Sequence, residues 1–295
     1  MVLEYNDSLQ IILKIGTSIS IFFGIVDIFL YGVFPQNRSF SFTNIIILAG
    51  INLLYSISTL LPADITLNQP ENTTWCQIQS FLVNFSHCAQ YLQVSIISYC
   101  IFIKLITRNH LEKNAKIYRS IFFLLLLSFS LVFSIYILLT RAHGTSHAFC
   151  WINLYSLYQK NHIKKLILNY YTTIWFLLFV NIFFIVKVKV MMKKNKIRNE
   201  MYEHLLKYPI ILIILSLPGT FNMIYHIIYN QKDIEAMVFI QVISESCFGL
   251  VINIYFITSP WIKENIKNAF KFQNNESLDQ ISPIRDSKFS VDDEK

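Results

Sequence analysis

The stretch from Trp75 to Lys104 places the strongest constraint on the fold. It contains no Pro or Gly, and Lys104 is its one Lys, Arg, Asp or Glu residue. A helix rises about 1.5 Å per residue, so this stretch exceeds the roughly 30 Å thickness of a hydrocarbon core. Polar side chains nevertheless recur in it at spacings of three, four or seven, which puts them on one helix face: Gln77, Asn84, His87, Tyr91, Ser95 and Ser98.

A second polar stripe, Ser86, Gln90 and Gln93, adjoins that face. Lipid cannot hydrogen-bond such groups, so other helices must surround this one. The sequence therefore predicts that residues 75–104 form the central helix of a membrane bundle.

The remaining composition agrees with a polytopic membrane protein. The chain is 54% hydrophobic and 15% charged, with a mean hydropathy of +0.46. We predict an all-α membrane protein, a bundle of seven transmembrane helices joined by short loops. The predicted spans are residues 11–34, 43–61, 76–103, 119–140, 166–186, 209–229 and 237–259.

The two ends differ from the bundle. Residues 1–10 carry no Lys or Arg, unlike the start of a cleaved signal peptide, so we expect an extracellular N-terminus followed by an uncleaved helix. After Pro260, Lys263, Lys267 and Lys271 recur at four-residue steps opposite apolar residues. This pattern predicts a short amphipathic helix at 261–271 along the membrane surface, although a frayed polar tail is the alternative. Residues 272–295 are expected to be a disordered cytoplasmic tail.

Loop charges indicate the orientation. Most basic residues lie in alternate loops and the tail, and these include Arg38, Lys104, Arg108, Lys113, Lys187, Lys193, Lys194, Lys196, Arg198 and Lys263. The other loops carry few, and there are none between Pro62 and Trp75. The positive-inside rule predicts that the basic loops are cytoplasmic, and we expect a plasma-membrane location. The chain has a net charge of +7 but no recognisable nucleic-acid-binding motif. We therefore expect the lipid bilayer, and not a nucleic acid, to be the partner of its basic residues.

Cysteine positions fit this topology. Cys76 opens the third span and Cys150 lies in the loop between spans four and five, so both face the outside. The other cysteines lie within spans, so a disulfide between Cys76 and Cys150 is predicted, the alternative being two free outer thiols. The sequon at Asn72 predicts glycosylation of the same outer face. No catalytic motif, metal site or cofactor site is recognisable, so we do not expect an enzyme.

Several segments resemble the seven-helix receptors coupled to heterotrimeric G proteins, in particular the cAMP-receptor-like group related to secretin-type receptors. They are CQIQ at 76–79, CWI at 150–152, YYTTIW at 170–175 and FGLVIN at 248–253. The resemblance covers about residues 11–271. Phe248 stands where Gln is usual, and the Asp-Arg-Tyr and Asn-Pro-x-x-Tyr motifs of rhodopsin-type receptors are missing.

The resemblance implies a receptor that senses an extracellular ligand, with a cyclic nucleotide as one option, and activates a heterotrimeric G protein. Basic residues of the outer loops, such as Arg141 and Lys160, could attract an anionic ligand. Pro218 and Gly219 form a candidate hinge, or else a static kink. Candidate pocket residues are Asn84, His87, Tyr91, Trp151, Trp175, His226, Gln241 and Glu245. Candidate G-protein contacts, which topology alone could also explain, are Lys104, Arg108, Lys113, Lys193, Lys194, Lys196 and Arg198.

Other functions remain open. Asp27, His87, His226 and Glu245 lie within spans, where they either line a ligand cavity or serve as hydrogen-bonded structural groups. A retinal-binding pump would need a lysine in the last span, and residues 237–259 contain none. A small-solute transporter is the main alternative, although it should show internal repeats or paired broken helices, which we do not find in the sequence.

Overall fold

The structure is a computed structural model. It describes residues 2–34, 40–61, 73–107, 114–140, 143–146, 149–152, 161–195, 200–229, 235–260, 262–264 and 266–267. The chain divides into two units, Met1–Phe256 and Ile257–Lys295. The first unit is the helical bundle and contains every feature discussed below except the start of the tail.

The bundle consists of long helices separated by short connections. Their bounds are α1 Val2–Val33, α2 Phe40–Leu60, α3 Thr74–Thr107, α4 Ala115–Leu139, α5 Asn161–Lys194, α6 Glu200–Tyr229 and α7 Glu235–Ile257. Within the described residues, 7 helices are long and apolar enough to cross a membrane. The predicted all-α seven-helix architecture is therefore confirmed, and it indicates an integral membrane protein. Helices suit this setting because they satisfy their own backbone groups where no water is present.

A β-hairpin lies between α4 and α5 and is not predicted from the sequence. Strand β1, His143–Ser146, pairs antiparallel with β2, Phe149–Ile152, so that Thr145 faces Cys150. All four residues of β2 are buried. Below, β1 and β2 together are called the hairpin.

Helix α3 occupies the centre of the bundle, as predicted. It packs against α2, α4, α5, α6 and both strands of the hairpin. Its membrane segment is 67% buried within the protein, compared with 28% for α1 and 22% for α4. Large exposed apolar side chains, such as Phe29 of α1, Leu124 of α4 and Phe179 of α5, instead suit contact with lipid tails.

The polar face of α3 is satisfied by its neighbours. Towards α2, Gln90 donates to Asn52 Oδ1 at 2.9 Å, and Gln93 donates to the Asn44 carbonyl at 2.8 Å. Towards α5, Ser98 donates to Asn181 Oδ1 at 2.8 Å, and Asn181 Nδ2 donates to Ser95 Oγ at 2.9 Å. The expectation that other helices surround this face is confirmed, because its hydrogen bonds cross to them.

Helices α1 and α7 approach closely through small residues. A Cβ atom added at Gly16 would lie 2.8 Å from Ser246 Oγ. Ser20 donates to the Ser246 carbonyl at 3.1 Å, and Asn253 Nδ2 donates to the Ser20 carbonyl at 3.2 Å. Small side chains let membrane helices come close enough for such contacts.

Most helices extend beyond the predicted spans. Helix α1 begins at Val2, α5 covers Asn161–Lys194 and α6 begins at Glu200, so Pro209 is inside α6 instead of at its start. The apolar pattern identified the lipid-crossing part of each helix, whereas the helical backbone continues past the apolar run. In the second unit, the described residues among 260–267 are helical. The rest of the predicted surface helix and the tail after residue 271 lie outside the described residues.

Candidate functional site

A cavity lies between α2, α3, α5, α6 and α7, with strand β2 of the hairpin closing one side. It comprises about 550 Å³ of space between protein atoms, counted up to its open mouth. The described lining residues are Tyr55, His87, Gln90, Tyr91, Trp151, Tyr171, Ile174, Leu212, Leu215, Ser216, Gly219, Thr220, Gln241, Ser244, Glu245 and Phe248.

The hairpin is joined to the start of α3 by the predicted disulfide. Cys76 and Cys150 are bonded, with Cα atoms 5.2 Å apart, so this prediction is confirmed. Cys88, Cys100 and Cys247 are free cysteines. Both bonded cysteines are fully buried. The bond brings β2, and with it Trp151, to the wall of the cavity.

Gln79 joins three elements at this end of the bundle. Its amide nitrogen donates to the carbonyls of Ser58 at 3.1 Å and Leu61 at 3.0 Å, at the end of α2. Its amide oxygen accepts from the backbone N–H of Cys150 at 2.8 Å. The last carbonyls of a helix have no partner within that helix. Gln79 therefore satisfies the end of α2 and holds the hairpin with one buried amide.

Two further residues of α3 hold Trp151 in place. Ser80 donates to the Trp151 carbonyl at 3.1 Å. The indole N–H of Trp151 donates to Asn84 Oδ1 at 2.7 Å, while Asn84 Nδ2 donates to the Ser80 carbonyl at 2.7 Å. Trp151 is thus fixed at both its backbone and its ring, and its ring meets that of His87 edge-to-face, with the ring centroids 5.6 Å apart.

His87 stands in the middle of an aromatic cluster. Its Nδ1 shares a hydrogen bond with the Tyr170 hydroxyl at 2.9 Å. Its ring centroid lies 4.9 Å from that of Tyr91 and 6.3 Å from that of Tyr55. Helices α2, α3 and α5 and the hairpin all contribute rings to this cluster, and Tyr55, His87, Tyr91 and Trp151 of it form an aromatic part of the cavity wall.

Glu245 provides the carboxylate of the cavity and belongs to a chain of hydrogen bonds across three helices. Tyr55 of α2 donates to its Oε2 at 3.4 Å, and Gln241 of α7 donates to its Oε1 at 2.8 Å. Asn222 of α6 in turn donates to Gln241 Oε1 at 3.1 Å. We call these four residues the Glu245 network.

The predicted hinge lies beside this network. Helix α6 is continuous through Pro218 and Gly219, and Gly219 lines the cavity. A Cβ atom added at Gly219 would be 3.4 Å from Gln241 Cδ. The segment at which α6 is predicted to bend therefore lies next to the side chain that binds Glu245.

The structure brings together five of the eight predicted pocket residues: His87, Tyr91, Trp151, Gln241 and Glu245 all line the cavity. Asn84 does not line the cavity, but its side-chain oxygen accepts the hydrogen bond from the Trp151 indole that holds this ring in place. Trp175 does not line the cavity among the described residues, and its ring instead packs on that of Tyr171 at 6.4 Å. The side chain of His226 lies outside the described residues.

Sequence reasoning missed much of the wall formed by α2, α5 and α6. Tyr55, Tyr171, Leu212 and Thr220 carry no signal that separates them from lipid-facing or core residues of the same type. For α7 a signal existed, because Gln241, Ser244, Glu245 and Phe248 recur at helical spacing and all line the cavity.

Other predicted residues lie away from the cavity. Asp27 is fully buried in α1, and neither carboxylate oxygen has a hydrogen-bond partner among the described residues. Lys193 and Lys194 are exposed at the end of α5, and Lys104 is half-buried at the end of α3. The predicted contacts Arg108, Lys113, Lys196 and Arg198 and the sequon at Asn72 lie outside the described residues.

Within the described ranges, no group of three or more His, Cys, Asp or Glu side chains is placed to hold a metal ion. Comparison with known proteins finds no family model and no curated protein that matches the chain. The site must therefore be interpreted from its own chemistry.

Proposed function

We propose that this protein is a G-protein-coupled receptor of the plasma membrane, which binds a small extracellular ligand in the cavity and activates a heterotrimeric G protein. In this proposal the hairpin and the N-terminus face the exterior, and the basic ends of α3 and α5 face the cytoplasm. The distribution of Lys and Arg between alternate loops supports that orientation.

One observation carries the proposal: the cavity touches α6 through the Glu245 network. A ligand in the cavity would meet Glu245 and Gln241, and Gln241 contacts both Asn222 and the segment at Gly219. A ligand shifts a conformational equilibrium only if it interacts differently with the two states. The Glu245 network can make the ligand's interactions differ between two conformations, because a change in the position of α6 alters the surroundings of Gln241.

The basic end of the bundle supplies the proposed output. Lys193 and Lys194 are exposed in the last turn of α5, and α6 begins soon afterwards at Glu200. An outward movement of this end of α6 would change the surface around the basic segment at the end of α5, where Lys193 and Lys194 are exposed. Coupling between the cavity and this segment would be the allosteric step of the receptor.

The first experiment separates a receptor from a transporter, since seven helices fit both. Cells that co-express the chain and a G protein are exposed to a panel of small extracellular ligands, including cyclic nucleotides and amines. Nucleotide exchange on the G protein is measured together with uptake of each labelled ligand. Nucleotide exchange without uptake supports the receptor proposal. Uptake of a labelled ligand, with no ligand of the panel causing nucleotide exchange, would refute the receptor proposal and favour a transporter.

A pair of variants tests the route through the network. Gln241→Leu removes the amide that joins Asn222 to Glu245, and we expect it to reduce the maximal ligand-dependent exchange at equal surface expression. Gln77→Leu is the matched control, because Gln77 lies at the start of α3 and does not line the cavity. Equal maximal exchange in both variants would show that the Glu245 network does not couple the cavity to the G protein.

A further inference from the structure

The charge of the cavity wall restricts the class of ligand. Among the described lining residues, Glu245 is the acidic one and none is Lys or Arg. An ionic interaction is stronger within the protein than in water because the dielectric constant is lower. The wall therefore favours a cationic group and disfavours an anion such as a cyclic nucleotide, despite the basic residues of the outer loops.

The rest of the wall has the chemistry that accompanies cation binding. Aromatic rings of Tyr55, Tyr91, Trp151, Tyr171 and Phe248 line the same cavity as the carboxylate. The faces of such rings attract cations, most strongly when water is excluded. The rings come from α2, α3, α5, α7 and the hairpin, so a cation next to Glu245 would be near aromatic side chains from several directions.

The carboxylate itself is oriented by its neighbours. Tyr55 and Gln241 each donate to a different oxygen of Glu245. These donors hold the carboxylate at the wall of the cavity, where the N–H donor of a positively charged ligand can form a charge-assisted hydrogen bond with it.

From the carboxylate, the aromatic rings and the absence of Lys and Arg among the described lining residues, we propose that the ligand is a small protonated amine with an apolar or aromatic body. Its ammonium group donates to Glu245, and its body lies against the rings of Trp151 and Tyr91. The inference assigns a ligand class to the cavity, and rests on the proposed function only in treating this cavity as the receptor's ligand site.

The test uses the full chain in lipid nanodiscs and follows its thermal unfolding. The probes are phenethylamine, histamine and cadaverine, with 2-phenylethanol as the uncharged analogue of phenethylamine and cyclic AMP as the anion. A ligand that binds the folded state raises the unfolding temperature. We expect at least one amine to do so in a saturable manner, and neither 2-phenylethanol nor cyclic AMP. Stabilisation by an uncharged or anionic probe alone, or by none of the amines, would overturn the proposal.

Two variants tie that binding to the carboxylate. Glu245→Gln keeps the size of the side chain, and we expect it to weaken amine binding by about 10- to 100-fold, the loss typical of a hydrogen bond to a charged group. Glu203→Gln is the control, since Glu203 is exposed on α6 and does not line the cavity. If Glu245→Gln fails to fold, Tyr55→Phe removes one donor to the carboxylate and should weaken the same binding to a smaller extent. Unchanged amine affinity in the folded variant refutes the assignment.

Failure of this inference is distinguishable from failure of the receptor proposal. Amine binding that depends on Glu245, without any nucleotide exchange, would keep the amine site and refute the receptor. Nucleotide exchange driven by cyclic AMP, without amine binding, would keep the receptor and refute the amine site.

Discussion

Replacing Gln79 by Met should lower the free energy of unfolding of the bundle more than the position of Gln79 near a helix end suggests. The substitution nearly conserves side-chain length but removes two N–H donors and one acceptor. In the structure these groups bind the last carbonyls of α2 and the backbone N–H of Cys150. At about 1 kcal/mol per hydrogen bond, and with the buried Cys150 N–H left without its acceptor, we expect a loss of about 2–4 kcal/mol in the free energy of unfolding.

The measurement is equilibrium unfolding of the purified protein in mixed micelles with a rising fraction of SDS and the disulfide intact. Gln77→Met is the matched control: Gln77 lies two residues away on α3, is half-buried, and makes no side-chain hydrogen bond to the residues that the structure describes. It should change the free energy by no more than about 0.5 kcal/mol.

A second readout tests the position of the hairpin directly. Without Gln79, β2 loses a contact to α3, so a reducing agent should open the Cys76–Cys150 disulfide faster in Gln79→Met than in Gln77→Met. If both variants unfold alike and are reduced at the same rate, our account of Gln79 as the residue joining α2, α3 and the hairpin is refuted.

Two further predictions concern helix contacts, and both use the same unfolding assay. Gly16→Ala should destabilise the bundle by about 1–3 kcal/mol, because its Cβ would come within 2.8 Å of a side chain of α7. Gly50→Ala, with no atom within 4 Å of the added Cβ, should change stability by no more than about 1 kcal/mol; equal losses would contradict the close α1–α7 contact. A double-mutant cycle of Ser98→Ala and Asn181→Ala should give a coupling energy of about 0.6–1.7 kcal/mol between α3 and α5, and a value near zero would show that this hydrogen bond adds nothing.

The polar residues of α3 include two groups with different roles. Gln79, Gln90 and Gln93 occupy one part of the helix and bind backbone or amide groups of α2. His87 and Tyr91 present their rings to the cavity. Periodicity placed Gln90 and Gln93 on a stripe beside the face that carries His87 and Tyr91, but it did not indicate which of the two holds the bundle together.

The hairpin shows most clearly what local sequence does not reveal. Residues 143–152 have no alternating apolar pattern, and Gly144 lies within β1 instead of at the turn. The strand conformation of β2 is stabilised by the disulfide to Cys76 and by hydrogen bonds from Cys150 and Trp151 to α3. These contacts join residues about seventy positions apart, so no analysis of a short window would find them.

The amino-acid sequence by itself determined the number of helices, the central place of α3 and the pairing of Cys76 with Cys150. These follow from apolar length, from polar groups that lipid cannot satisfy, and from which cysteines lie outside the spans. Only the tertiary structure decided how each helix is rotated about its axis, and therefore that Tyr55, Gln241 and Glu245 meet in one cavity. The physical reason is that lipid and the protein interior are similarly apolar, so hydrophobicity alone does not indicate which face of a membrane helix turns inward.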